Sequence, residues 1–265
     1  MAMFTYRGKT ALITGASSGI GETFASTLAA RGMNLILVAR SEGKLRTLAT
    51  QLASQHGIRA EVIAADLAQE NAAKAIQSAV EEKGLQVNML INNAGFGTHG
   101  PFESLSPQRD HEEVMVNVTA LVDLTHAFVP AMAARGDGAI INVASVAGFQ
   151  PVPYMAIYGA TKAFVLSFSE ALWGEYQGRG VRVLALCPGP VSTNFFNVVG
   201  TRDAAVGTPI GPEKVVGAAL RALERGKSFV IPGTSNYLLS NVAIRLIPRA
   251  LTARVGANMM RPRKQ

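Results

Sequence analysis

Three features of this sequence predict an α/β fold with one doubly wound parallel sheet and helices on both of its faces. Seven short apolar runs are spaced along the chain, with helix-length segments between them. The runs are continuously apolar rather than alternating, as strands covered on both faces should be. Glycines and a Ser-Pro pair fall where the intervening helices should stop and start.

The predicted strands are Ala11–Ile13, Leu35–Val38, Glu61–Ala64, Met89–Ile91, Ala139–Val143, Val181–Leu186 and Phe229–Ile231. Gly32, Gly57 and Gly84 each follow a helical segment at a C′ position. Ser106-Pro107 opens the long segment that ends near Arg135, with serine as N-cap and proline at N1. Strand–helix repetition of this kind implies right-handed crossovers. A chain of 265 residues suits a single such sheet. We expect residues 1–235 to form one domain and 236–265 a basic, apolar-striped extension packed on it or on a partner subunit. The stretch from about Pro190 to Pro212 reads as irregular, and a connection that long suggests a lid or substrate loop.

Composition narrows the function classes. The lone cysteine, Cys187, ends the run VRVLALC and reads as a buried structural thiol, with no intramolecular disulfide to form. His56, His99, His111 and His126 lack ligand spacing, so no catalytic metal is expected. No apolar leader is present, and no uninterrupted apolar stretch reaches the roughly 18 residues of a membrane span, so a cytoplasmic protein is expected. The formal charge of +7 is local: Arg245, Arg249, Arg254, Arg261, Arg263 and Lys264 all lie in the last 25 residues. The remaining 19 cations face 18 carboxylates, so nucleic-acid binding is not implied.

After the first run comes TGASSGIG, with Gly15, Gly19 and Gly21. A glycine-rich turn from strand into helix lets backbone approach a pyrophosphate and aims a helix N-terminus at its charge. The sheet is therefore expected to be of the Rossmann type, with Gly15, Ser17, Ser18, Gly19, Ile20 and Gly21 on the dinucleotide. The spacing is G-x-x-x-G-x-G, so position between strand and helix carries the reading as much as the glycines do. A carboxylate ending the second strand would bond the ribose hydroxyls of NAD. Here Arg40 and Ser41 stand instead, with Lys44 nearby, and a guanidinium suits a 2′-phosphate. The expected cofactor is NADP(H).

Further features follow in order: Asp66-Leu67, then Asn92-Asn93-Ala94-Gly95, Ser145 after the fifth strand, and Tyr158-Gly-Ala-Thr-Lys162 thirteen residues later. With the glycine loop, they make residues 8–193 resemble the short-chain dehydrogenase/reductase family. Tyr158 and Lys162, four apart, share a helix face. A tyrosine of pKa about 10 is a poor base near neutrality, and a nearby ammonium would favour its phenolate. Tyr158 would then exchange a proton with the substrate oxygen while Ser145 stabilises charge there. The resemblance implies that Lys162 also bonds the nicotinamide ribose and that Asn117 orders a proton relay. It further implies that Asp66 and Leu67 meet the adenine and that Asn93, Ala94 and Gly95 hold the adenosine side. Asn92 would shore up the sheet. Pro188, Gly189, Val191 and Thr193 match the family's P-G-x-x-x-T, which holds the carboxamide. Plainer readings stay open: Asp66 as a helix N-cap, Asn117 as a polar residue satisfying backbone, and Tyr158 and Lys162 as an ordinary helix pair.

The resemblance implies an oxidoreductase moving hydride between nicotinamide and a carbonyl or secondary alcohol, in a homo-oligomer (dimer or tetramer). A non-catalytic NADP(H) sensor or scaffold with the same fold is the alternative. Phe96, Phe149, Pro151, Tyr154, Phe195 and Phe196 fall on the expected substrate side, favouring an apolar carbonyl. The tail departs from the family. Leu238, Leu239, Val242 and Leu246 recur at helical spacing, and a second segment from Pro248 carries Leu251, Val255 and Met259. Such a stripe packs on the body or a partner, or touches an anionic membrane surface.

Overall fold

The computed structural model describes residues 4–201, 208–237 and 247–262. Its strands are β1 (Thr10–Thr14), β2 (Asn34–Ala39), β3 (Ala60–Ala64), β4 (Met89–Asn92), β5 (Gly138–Val143), β6 (Val181–Leu186) and β7 (Phe229–Val230). All pair in parallel, in the order β3-β2-β1-β4-β5-β6-β7. Each predicted run lies within or beside one of these strands. The last is one residue shorter than expected, with Ile231 just beyond it.

Alternation along each strand divides the core between two faces. Ile13, Leu35, Leu37, Ile91, Ile141 and Leu184 pack with Phe24 and Leu28 of α1 (Gly19–Ala30), Leu45 and Leu52 of α2 (Glu42–His56), and Val215 and Leu220 of a later helix. Their neighbours Leu12, Ile36, Leu90, Ile140 and Val183 point the other way. There they meet Ile76 and Val80 of α3 (Ala72–Glu82) and Leu124, Phe128 and Met132. Each fully buried Leu or Ile contributes about 1.5–3 kcal/mol relative to exposure, so both faces resist opening. β3 is an edge, and Glu61 on it binds Arg59 and Lys83 at 2.8 Å each, charging an edge that would otherwise invite pairing.

The segment opened by Ser106-Pro107 is one helical run in three parts: α4 (Pro107–Val114), a π turn at Met115–Thr119, and α5 (Ala120–Arg135). Ser106 Oγ accepts from the Arg109 N–H at 3.4 Å, as an N-cap should. By length and composition this run is apolar enough to cross a membrane. Its apolar face instead lies in the core, where Leu121, Leu124, Phe128, Val129 and Met132 are buried.

Among the described residues, the remaining α-helices are α6 (Ala156–Glu175), α7 (Phe195–Val199), α8 (Pro212–Glu224), the single turn α9 (Thr234–Tyr237) and α10 (Arg249–Met259). The expected irregular stretch thus holds a short helix, and Val191 bridges Ile210 across it; residues 202–207 lie outside the described residues. Leu238, Leu239, Val242 and Leu246 also lie outside them. The segment predicted from Pro248 is α10. Because β1 is flanked by β2 and β4, the chain's direction of progress across the sheet reverses there, opening a crevice at the strands' C-terminal ends.

Candidate active site

The crevice floor begins where β1 ends. Gly15 (φ +64°) and Gly19 (φ +59°) take left-handed backbone, which an L side chain would strain. A Cβ on Gly21 would sit 2.3 Å from the Gly15 carbonyl oxygen, so the first turn of α1 closes on the loop only with glycine there. Gly15, Ser17, Ser18, Gly19 and Ile20 line the cleft. Gly21, expected among them, lies beneath the loop instead: it is buried, and its part is helix-against-loop packing. Asn93 staples this turn to β4. Its amide donates to Thr14 O (2.9 Å) and Gly15 O (3.2 Å), while Thr14 Oγ1 accepts from the N–H groups of Asn93 and Ala94, both at 3.0 Å. Asn92 points away from the cleft, donating to Asn142 Oδ1 (2.9 Å) and Thr125 Oγ1 (3.2 Å) inside the sheet.

At the end of β2, Arg40 and Ser41 are exposed on the cleft wall, and Arg40 forms no ion pair among the described residues. After β3, Asp66 and Leu67 continue that wall. Asp66 is no helix cap: α3 starts at Ala72, and Asp66 Oδ1 accepts from the Ala68 N–H at 3.1 Å, closing an Asx turn.

Beyond β4 the chain continues as a strip, Gly95–Phe96–Gly97–Thr98, whose Gly95 and Phe96 line the cleft. Asn117, in the π turn, grips it from below. Its Oδ1 accepts from Phe96 N (3.1 Å), and its Nδ2 donates to Phe96 O (2.9 Å) and to Thr161 Oγ1 (3.1 Å). Asn117 is buried and does not line the cleft, so the expected site residue acts here on backbone. Both glycines are needed for close approach. A Cβ at Gly95 would stand 2.9 Å from Asn117 Oδ1 and 3.3 Å from Lys162 Nζ, and one at Gly97 would stand 2.9 Å from the Tyr158 ring.

Ser145 caps the turn after β5, accepting from Ala147 N (3.1 Å) and donating to Pro188 O (3.4 Å). Opposite it, α6 presents Tyr158 and, one turn on, Lys162. The entry to α6 is tight. Tyr154 takes φ +64°, a conformation costing a non-glycine residue about 1–2 kcal/mol, and its carbonyl accepts from the Gly100 N–H at 2.9 Å. Ser145, Tyr158 and Lys162 all reach the cleft wall. Burial pushes the Tyr158 phenol up to about 12; the facing Ser145 hydroxyl pulls it down and the charge of Glu113 pushes it further up. Burial also lowers the Lys162 ammonium to about 8, against the opposing effect of Glu113 and Cys187. The net shift of the phenol is thus upward, opposite in direction to what a nearby ammonium alone would give. Lys162 Nζ donates to Val143 O at 2.8 Å and stands 5.7 Å from the Tyr158 ring centre, while burial dominates the shift of the phenol.

After β6, Pro188, Gly189, Val191 and Thr193 close the far side. Thr193 lies over the glycine loop, 3.1 Å from where a Gly19 Cβ would be. Cys187 is buried, as expected. Phe96, Pro151, Phe195 and Phe196 line the cleft, with Phe195 5.5 Å from the Tyr158 ring. Phe149 and Tyr154 do not: Phe149 packs on Phe229, and Tyr154 faces His99. Ile247, Leu251, Val255 and Met259 of the α10 segment add an apolar wall. Gly256 lets α10 approach Pro153 (3.2 Å from a Cβ placed there), and His99 Nε2 bonds Met260 O at 2.9 Å. The whole cleft measures about 1330 Å³. That exceeds the roughly 300–1,000 Å³ of a single drug-sized site and leaves room for a dinucleotide with a substrate beside it.

Residues 9–203 match the family described as short chain dehydrogenase. This chain belongs to that family. The short-chain dehydrogenase is 31% identical over 242 residues to the very-long-chain 3-oxoacyl-CoA reductase of Homo sapiens, covering 89% of this chain and 76% of the relative. The chain spans 62% of the corresponding Bos taurus protein. Among solved structures, a short-chain dehydrogenase from Sphingobium yanoikuyae in complex with NADPH superposes with a TM-score of 0.80 at 36% identity, covering 97% of both chains. A bulky-bulky ketone specific alcohol dehydrogenase from Comamonas testosteroni gives 0.77 at 36% identity, covering 97% of this chain and 95% of that one.

Two residues of this dehydrogenase's site escaped the sequence reading. Glu113 and Thr98 form a buried pair beside Tyr158, and the one available signal was Glu113 standing four residues before Asn117, on the same helix face.

Proposed function

We propose that this chain is an NADP(H)-dependent reductase of long or bulky apolar carbonyls, with Tyr158 as the proton donor. The glycine cradle fits a pyrophosphate, since backbone fills the space a Cβ would need at Gly21 and α1 points its N-terminus at the loop. Arg40 would take the 2′-phosphate by charge-assisted bonds, and Asp66, Asn93, Ala94, Gly95 and Thr193 would hold the rest. When bound, the cofactor supplies the hydride.

The chain's own residues handle the proton and the substrate oxygen. With its phenol pushed up to about 12 by burial, Tyr158 is protonated at neutral pH. In that state it can donate a proton to a carbonyl oxygen as hydride arrives. Ser145, facing the phenol, would share the substrate oxygen and stabilise its developing charge. Lys162, held by Val143 O, supplies positive charge below about pH 8. Residues 1–235 would carry this chemistry, while the extension 236–265 shapes the substrate side through α10.

The observation that carries the reading is the single cleft that joins Ser145, Tyr158 and Lys162 to the glycine loop and to an apolar wall. Two relatives, a very-long-chain 3-oxoacyl-CoA reductase and a bulky-bulky ketone specific alcohol dehydrogenase, support the same substrate character. A panel of ketones graded in apolar size, followed by loss of NADPH absorbance, tests it. Rates should rise with apolar length or bulk. NADPH binding without turnover of any member would favour a sensor instead.

A further inference from the structure

Glu113 is a charged group at the heart of the site that the proton chemistry above leaves unused. α4 places it one turn before Asn117, and the two side chains hold successive parts of the same strip. Asn117 grips Phe96, while Glu113 Oε2 accepts from Thr98 N (2.9 Å) and Thr98 Oγ1 (3.0 Å). Between these two clamps, Gly97 lies against the Tyr158 ring. Glu113 is fully buried, and its second oxygen, Oε1, has no hydrogen-bond partner among the described residues. A clamp alone needs one acceptor oxygen, which a neutral amide supplies without the cost of burying a charge.

We propose that Glu113 is a positioning residue of the active site: it clamps the Gly95–Thr98 strip against Tyr158 and places a buried carboxyl group behind Tyr158 and Lys162. This rests on the reading of Tyr158 as proton donor. The ionisable groups that face the carboxyl are Asp110 on its own helix, which shares the Thr98 hydroxyl at 3.0 Å, and Tyr158 and Lys162 from α6. Cys187 faces Lys162 from the end of β6. Burial lifts the carboxyl to about 7, aided by Asp110; the two Thr98 bonds and Lys162 pull it back. Its charge therefore changes in the neutral range. As an anion it raises both the phenol and the ammonium, so it keeps the donor and its cationic neighbour protonated to higher pH.

The test is the pH profile of kcat/KM for ketone reduction. In Glu113→Gln the amide keeps the clamp but loses the charge, so the alkaline limb set by Lys162 should move to lower pH by roughly one unit. A limb that superimposes on the wild type's would overturn the proposal. Thr98→Val provides a second arm that leaves the carboxyl in place. Losing the hydroxyl bond should move the carboxyl's own titration upward, read by the infrared band of the protonated acid in cofactor-free protein. An unmoved titration would also overturn it. Tyr158→Phe run alongside separates the two readings. If that variant turns over normally, the proton-donor reading fails. If it is inactive while Glu113→Gln keeps the wild-type limb, only the role of Glu113 fails.

Discussion

Arg40 shows what one side chain decides. It ends β2 on the cleft wall, exposed and without an ion pair among the described residues, where a carboxylate would repel a 2′-phosphate. Charge-assisted bonds contribute about 1.5–3 kcal/mol, so Arg40→Ala should reduce the preference for NADPH over NADH by about 10- to 100-fold. Fluorescence titration of the two cofactors measures this, and an unchanged ratio would remove Arg40 from the phosphate site. Residue identities such as Tyr158, Lys162 and Ser145 were legible because their spacing is tied to strand ends and a helix turn. The sign of the Tyr158 shift was not, because burial is set by segments far apart in sequence. Gly97, sixty-one residues upstream, lies against the Tyr158 ring, and burial is the largest cause of the upward shift.

Among the elements, the strands were the easiest to read, since burial on both faces leaves continuous apolar runs with little else to imitate them. The π turn at Met115–Thr119 was invisible: it sits inside an ordinary helical pattern, marked only by Asn117 among apolar neighbours. Asp66 was open to misreading because an Asx turn and an N-cap use the same residue type. α10 was visible as a segment, but its destination was not. Leu251, Val255 and Met259 stay half-exposed because they face a cleft rather than a core. Val255→Glu should therefore lower kcat/KM for a long-chain ketone by about tenfold, the equivalent of one or two lost methylene contacts, and leave a small ketone within about twofold. Equal losses on both substrates would mean that α10 supports the fold and not the substrate.

At the scale of the molecule, one feature of topology brings these parts together. The strand order reverses between β1 and β4, so the six loops that follow β1 to β6 open onto one crevice. The glycine loop, the Arg40 wall and the Tyr158 helix each have a separate packing reason to exist. Their convergence gives the one cleft in which the proposed function seats a dinucleotide, a carbonyl and a proton donor together. A single-turnover measurement of NADPH oxidation with wild-type protein and Tyr158→Phe, on the best ketone of the graded panel, addresses that convergence most directly. A positioned general acid contributes about 100- to 10,000-fold, so the variant should slow hydride transfer by that much while its NADPH affinity stays within a few-fold. Hydride transfer at the wild-type rate in Tyr158→Phe would contradict it.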